Sequence, residues 1–309
     1  MEVPPVDYAP HRKFQHRYAW HVILFITTLL TTTFVGCFFD DGFRNPGLQG
    51  FSSEIFSWHW ILAGLNYSGP MLLILGAHEF GHYWYCRKHD VDASLPYFLP
   101  APPPFVFTGT LGAVIRIKEA FPSTKALFDI GVSGPIAGFV VLVPFLYWGI
   151  GHSAVVTLTD KTGVIFFGEP MLLKAIAWWH FGTLPAGTDI TLHPVGFAAW
   201  FGMLATALNL LPFGQLDGGH IAHAVFGVHA RFVSLGTLLV TLLLIALSWS
   251  WLTMAIMMLV MAFFLGIRHP RVIDDGVPLD NDRRLIALAA LVIFVICFTP
   301  VPIELFVGD

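Results

Sequence analysis

The chain has 309 residues, of which 56% are hydrophobic and only 12% charged, and its mean hydropathy is +0.71. A soluble domain carries about twice that share of charge, so a water-soluble fold is excluded. The net charge of −4 says little by itself, and no nucleic-acid partner is expected.

Apolar runs that approach or exceed the roughly 20 residues needed to cross a bilayer predict spans over about 20–39, 62–86, 126–150, 194–214, 231–249, 250–267 and 284–302. The first follows a basic tail but is long. It is followed by Phe38-Phe39-Asp40-Asp41 rather than a small-residue cleavage site, so an uncleaved span is expected and not a signal peptide. Met171 to Phe181 is too short to span and carries Lys174, Trp178 and Trp179, which suits a helix lying in the interface. Ser248-Trp249-Ser250-Trp251 is the expected turn between the fifth and sixth runs, which read either as two helices or as one broken hairpin. The expected fold is an all-α polytopic membrane protein of six to seven transmembrane helices. Residues 1–309 form a single domain, with a catalytic core over about 60–225 and C-terminal helices over about 230–303. No appended soluble domain is expected, because the polar stretches at 40–60, 87–124, 151–193 and 268–283 are too short.

Charge fixes the expected orientation. With the N-terminus in the cytoplasm, thirteen Lys and Arg fall on cytoplasmic segments, among them Arg12, Lys13, Arg87, Lys118, Arg268, Arg271 and Arg283. Only Arg44, Lys161 and Lys174 fall outside. Asp309 is then expected on the outer side. Cys37, Cys86 and Cys297 lie in or next to separate spans and imply no disulfide framework.

His78-Glu79-Phe80-Gly81-His82 lies inside the second apolar run. Four residues make slightly more than one helical turn, so the two imidazoles share a face and can converge on one ion. Glu79 can reach a water on that ion without coordinating it, the H-E-x-x-H arrangement of zinc hydrolases. Histidines that only hydrogen-bond to neighbours are the plainer alternative. Against it stands the cost of a carboxylate at mid-helix in lipid, about 2.5–3.5 kcal/mol on insertion scales, which makes such groups usually functional. Cys86, four residues after His82, could in principle join the ion, but a better third ligand exists further along.

That candidate is Asp217, in Asn209-Leu210-Leu211-Pro212-Phe213-Gly214-Gln215-Leu216-Asp217-Gly218-Gly219-His220. The expected topology brings it to the same depth as His82, from the same side. A third ligand would leave a fourth tetrahedral position open for water.

These two motifs resemble those of the site-2 protease family of intramembrane zinc metalloproteases. Gly131-Val132-Ser133-Gly134-Pro135-Ile136-Ala137-Gly138, Gly109 to Arg116 and Leu192-His193-Pro194 resemble it too, the second particularly in bacterial and plastid members. The likeness covers about 60–225. It implies one Zn2+ per chain on His78, His82 and Asp217, with Glu79 as catalytic base. It implies hydrolysis of peptide bonds in membrane-embedded protein substrates, expected to be single-span. The expected home is a bacterial cytoplasmic membrane, with the active site toward the cytoplasm. No PDZ-like insert or CBS-like domain is expected.

Asn209 has two readings, a donor to the reaction's oxyanion or a tie for backbone broken around Pro212. The proline-rich Leu95 to Phe105 cannot be helical. The β-branched stretch that follows, Val106 to Ile117, reads as a hairpin or short sheet, placed around 105–118. Its edge, at Gly109, Thr110, Val114 and Ile115, could take an unwound substrate by strand addition, or the hairpin could be a mere connector. His220, His223 and His229 could bind a second metal, though solvated histidines are the commoner case. His269-Pro270 reads as a cap or packing element, and Asp274, Asp275, Asp280 and Asp282 as a solvated acidic loop. Rival classes are a transporter or metal-handling membrane protein and an inactive homologue that binds transmembrane partners. The first predicts repeat symmetry and scattered polar pairs, neither of which the chain has. The intact Glu79 and ligand set argue against the second.

Overall fold

The computed structural model describes residues 13–45, 57–103, 106–157, 165–264, 272–274 and 276–305. Expectations for Arg12, Phe105, Lys161, Arg268, His269, Pro270, Arg271, Asp275 and Asp309 lie outside the described residues.

The architecture is mainly helical, with three small antiparallel sheets. In chain order come α1 (Tyr18–Arg44), α2 (Trp58–Lys88), β1 (Tyr97–Pro100), β2 (Thr110–Val114), α3 (Thr124–Gly151), β3 (Ala154–Thr157), β4 (Ile165–Phe167) and α4 (Met171–Phe181). There follow β5 (Thr188–Thr191), α5 (Pro194–Asn209), α6 (Asp217–Phe226), α7 (Ala230–Leu244), α8 (Trp251–Phe264), α9 (Asn281–Cys297) and β6 (Ile303–Leu305). Among the described residues, α1, α2, α3 and the 217–244 path through α6 and α7 are long and apolar enough to cross a membrane. Leu30, Leu73, Trp84, Val140 and Phe263 are exposed on the helix surfaces, where a bilayer would cover them. The chain is an integral membrane protein.

α2 and α3 form the centre, with α1 against α2 and α5 and α6 against α3. Close helix approach explains many of the glycines. On α1 and α2, a Cβ at Gly36 would strike the Gly64 carbonyl, and one at Gly64 the Thr33 carbonyl. On α2 and α3, a Cβ at Gly81 would lie 2.6 Å from the Ser133 carbonyl oxygen. Hydroxyls inside the bundle are satisfied locally. Thr28 and Thr32 donate to Leu24 O and Thr28 O one turn back, and Thr33 Oγ1 meets Ser68 Oγ at 2.8 Å between α1 and α2. Ser57, Ser123 and Asp280 cap α2, α3 and α9 by accepting from Trp60, Ala126 and Arg283 N–H.

Several boundaries correct the sequence expectations. The fourth run ends as a helix at Asn209, not 214, because Pro212 offers no N–H and Gly214 takes φ +53°. The chain then turns back, and Asp217 opens α6 instead of closing the preceding span. The next membrane-length path therefore starts at 217, well before 231. Gly218 and Gly219 let α6 start against the turn. A Cβ at either would strike the carbonyl of Leu210 or Gly214.

The β-region also differs. β2 pairs with β1, in register from Tyr97↔Val114 to Leu99↔Gly112 and shifted by one residue at Pro100↔Thr110, so the first strand comes from the proline-rich segment upstream of 105. Pro96 and Pro100 sit at the strand's margins, where a missing N–H costs no ladder bond. The stretch 151–193 is not only loop: β3 pairs with β5, and β4 with β6. α4 is the expected short helix, with Trp178 and Trp179 exposed.

Candidate metal centre

α2 carries His78 and His82, both buried, one turn apart. α6 presents Asp217 from its first residue. His78 Nε2 lies 3.1 Å from Asp217 Oδ2, His82 Nε2 lies 3.3 Å from Asp217 Oδ1, and the two Nε2 atoms are 3.1 Å apart. Among the described residues this is the one such group of three His, Cys, Asp or Glu. Cys86 is buried outside it, and His220 packs beside Phe121 and under Gly131.

The spacing fits a zinc ion. Tetrahedral ligands at about 2.0–2.1 Å from zinc sit about 3.3–3.4 Å from one another. The protonation pattern agrees. His82 Nδ1 is 2.7 Å from Ile130 O, a carbonyl that only accepts, so Nδ1 donates there and Nε2 is the ring nitrogen that faces the cluster.

α3 forms the floor of the centre. A Cβ at Gly134 would overlap the His82 ring, and one at Gly138 would stand 3.2 Å from His78 Cβ. Ser133 Oγ donates to the same Ile130 carbonyl at 2.8 Å. Neither Ile130 nor Gly134 emerges as a site residue from the sequence. The available signal is the spacing of Gly131, Gly134 and Gly138, which lie on one helical face at i, i+3 and i+7.

Glu79 is buried beside the cluster, its Oε1 4.0 Å from His78 Nε2, with the Ile115 backbone amide turned to its carboxylate. Asn209, the last residue of α5, brings Nδ2 to 3.3 Å from His78 Nε2. The other hairpin residues have separate partners. Gly109 O accepts from Thr31 Oγ1 on α1, and Thr110 Oγ1 bonds Leu99 O and the Gly112 backbone. Gly109 and Thr110 thus fix the hairpin in place, while Val114 and Ile115 run toward Glu79.

The region of the acidic loop is more structured than the sequence suggests. Asp129, buried on α3, receives Arg283 Nε and Nη2 at 2.8 and 2.7 Å and His89 Nε2 at 2.9 Å. Asp280 caps α9 and pairs with Lys125, which ties α9 to α3.

A helix-borne His-Glu-x-x-His pair, completed by a carboxylate from a distant helix within an apolar bundle, defines a membrane-embedded metallohydrolase type of site. The sequence places it further: residues 68–247 match Peptidase family M50, and the chain belongs to that family. It is 33% identical over 72% of its length to the probable zinc metalloprotease EGY2, chloroplastic, of Arabidopsis thaliana, covering 39% of that relative. It is 34% identical over half its length to the probable zinc metalloprotease EGY1, chloroplastic, of Oryza sativa subsp. japonica, covering 27% of it. It is 29% identical over 74% of its length to the probable zinc metallopeptidase EGY3, chloroplastic, of Arabidopsis thaliana, covering 41%. The chain thus spans well under half the length of these relatives. No solved structure matches it.

Proposed function

We propose that the protein is an intramembrane zinc metalloprotease that hydrolyses peptide bonds within or near transmembrane segments of other membrane proteins. The observation that carries this is the convergence of His78, His82 and Asp217 at 3.1–3.3 Å around one point in the bundle. These three residues hold one zinc ion. When bound, the ion supplies Lewis acidity toward a water and a peptide carbonyl. Glu79, close to the cluster and acceptor-only when ionised, takes the proton of the attacking water and returns it to the leaving amide nitrogen. Asn209 Nδ2, beside the cluster, donates to the oxygen on which charge develops. Burial in the bundle keeps bulk water from these groups and strengthens each contact.

The hairpin supplies the extended backbone that a helical substrate must adopt before cleavage. Strand addition along Val114 and Ile115 would lay the substrate past Glu79. The catalytic core is taken as 60–225, with the C-terminal helices over 230–303 as its support.

α5, α8 and α9, of 16, 14 and 17 residues, rise about 21–26 Å, and with their flanking turns they bring the number of crossings to six or seven. The N-terminus and the centre face the cytoplasm in this reading. Lys13 pairs with Asp90 and Glu119, Lys118 with Asp92, and Lys125 with Asp280, so the basic residues gather at the end of the bundle where α2 finishes. Arg44 pairs with Asp40 at the other end of α1. A bacterial cytoplasmic membrane suits this charge pattern, although the relatives named above are chloroplastic. Substrates are expected to be single-span proteins. The experiment is incubation of the purified chain with a panel of single-span helices, with and without a zinc chelator. Chelator-sensitive cleavage supports the reading, and cleavage that ignores the chelator overturns it.

A further inference from the structure

On the side of the bundle away from the metal centre lies a cavity of about 750 Å³. That is within the range of sites for small ligands and peptides. Its floor is aromatic, with Phe39, Phe167, Phe197 and Trp200 in edge or tilted contact. Its walls are two separate sheets, β4 of one and β5 of the other, each with a single partner strand.

The pairing shows which backbone groups these strands turn outward. Gly168 N–H donates to Pro302 O, one step past Phe167↔Ile303 in the β4–β6 ladder. Antiparallel pairs alternate between bonded and non-bonded, so Ile165 and Phe167 turn their N–H and C=O groups away from β6. On β5, the N–H of Ile190 donates to the carboxylate of its own neighbour Asp189 at 2.7 Å, so this strand wall is already satisfied there. The β4 edge, with groups turned away from its partner, therefore lines the cavity opposite β5. Its charge is lopsided. Glu169, Asp189 and Glu304 line it against Lys174, which pairs with Glu169.

Position matters as well. From Gly134, under His82, α3 runs about 25 Å to Gly151 and into β3. On α5, Trp200 and Asn209 are nine positions, about 14 Å, apart. A helix crossing about 30 Å of hydrocarbon with one end at the metal centre would emerge near this cavity.

We propose that the cavity is a docking cleft for an extended, basic peptide segment, the stretch that flanks a substrate's membrane helix on the face opposite the metal centre. This rests on the proteolytic reading above. The segment would add as a strand to the edge of β4, set apolar side chains on the aromatic floor and place Lys or Arg against Asp189 and Glu304. The acidic lining argues against anionic lipid as the occupant.

The test uses the full chain in phosphatidylcholine nanodiscs. The probe is a fluorescein-labelled ten-residue peptide of alternating valine and lysine. Saturable binding is expected. It should be lost when alternate amides are N-methylated, and lost when lysine is replaced by glutamate. Glu304→Lys should raise Kd about tenfold, and Asp217→Ala should leave it unchanged. A photoreactive benzophenone residue at position 165 should capture the peptide. Equal binding of the N-methylated peptide, absence of saturable binding, or capture of phospholipid alone would overturn the proposal. Because binding is read without cleavage, an inactive protein that still binds refutes the proteolytic reading and leaves the cleft standing. An active protein that does not bind does the reverse.

Discussion

Replacing Gly134 by alanine adds one methyl group at the point where α3 lies beneath His82. Built on the backbone, that Cβ overlaps Nε2, Cδ2 and Cε1 of the imidazole. Carbon atoms in contact prefer about 3.5–4.0 Å, so the ring must retreat on the order of 1 Å or more. It cannot do so freely, because Nδ1–H is bonded to Ile130 O on the same helix. A zinc site tolerates about 0.2 Å, so one of three ligands is lost or badly strained. Loss of even an outer partner costs about 10–100-fold in metal affinity, and here a direct ligand is displaced, so zinc should bind at least about 100-fold more weakly. The fold should survive, since alanine is favoured over glycine inside a helix by about 1 kcal/mol. Gly138→Ala is the graded comparison. Its Cβ would stand 3.2 Å from His78 Cβ, a contact that small shifts relieve, so the loss should stay below about tenfold. Gly236→Ala, with open space around it, is the blank. Competition against a chromophoric chelator gives the affinities, and circular dichroism reports the fold. Wild-type zinc affinity in a folded Gly134→Ala protein would refute the reasoning.

Glu79→Gln should keep zinc and fold while cleavage falls by about 10²–10⁴-fold, because the amide cannot take the proton; wild-type turnover would remove Glu79 from the mechanism. Val114→Pro and Ile115→Pro should impair cleavage at normal zinc content, least for substrates with helix-breaking residues near the cut, and unchanged rates for every substrate would reduce the hairpin to a connector. The Asp280 carboxyl is held below the ordinary carboxylate range, first by the Arg283 backbone N–H and then by the Arg283 side chain. Its contribution to stability is therefore complete above the unfolded value of about 3.9 and is lost as pH falls through the lower folded value. Melting temperature followed from about pH 5 to pH 2.5 should drop less steeply in Asp280→Asn than in wild type; parallel curves would remove this cap from the acid response.

The candidate metal ligands are legible because their chemistry is written locally. Two histidines at i and i+4 share a helix face in any helix, and an Asp-Gly pair after a proline turn is conspicuous in an apolar chain. What lies around them is not local. Gly134 is needed because α3 passes under His82, and Ile130 because its carbonyl meets Nδ1, and both facts depend on how the helices cross. The helical runs are equally legible, since a bilayer demands length and apolarity. Their ends are harder to read. Pro212 and Gly214 stop α5 early, and a helix starts at Asp217 because Gly218 and Gly219 let two backbones touch there. The sequence places the hairpin one strand too late, because prolines demote a segment that here sits at a sheet margin. Strands of three or four residues at 154–157, 165–167, 188–191 and 303–305 pair across long sequence distances, and no periodicity can announce that.

The central claim is tested most directly by zinc removal and return on the purified protein in a bilayer, with a single-span substrate present. Cleavage should stop when a chelator strips the metal and should return in full with one zinc per chain. Asp217→Ala and His82→Ala should neither bind zinc nor regain activity. Cleavage that persists without zinc, or a full complement of zinc in the Asp217→Ala, His82→Ala double variant, would contradict the account.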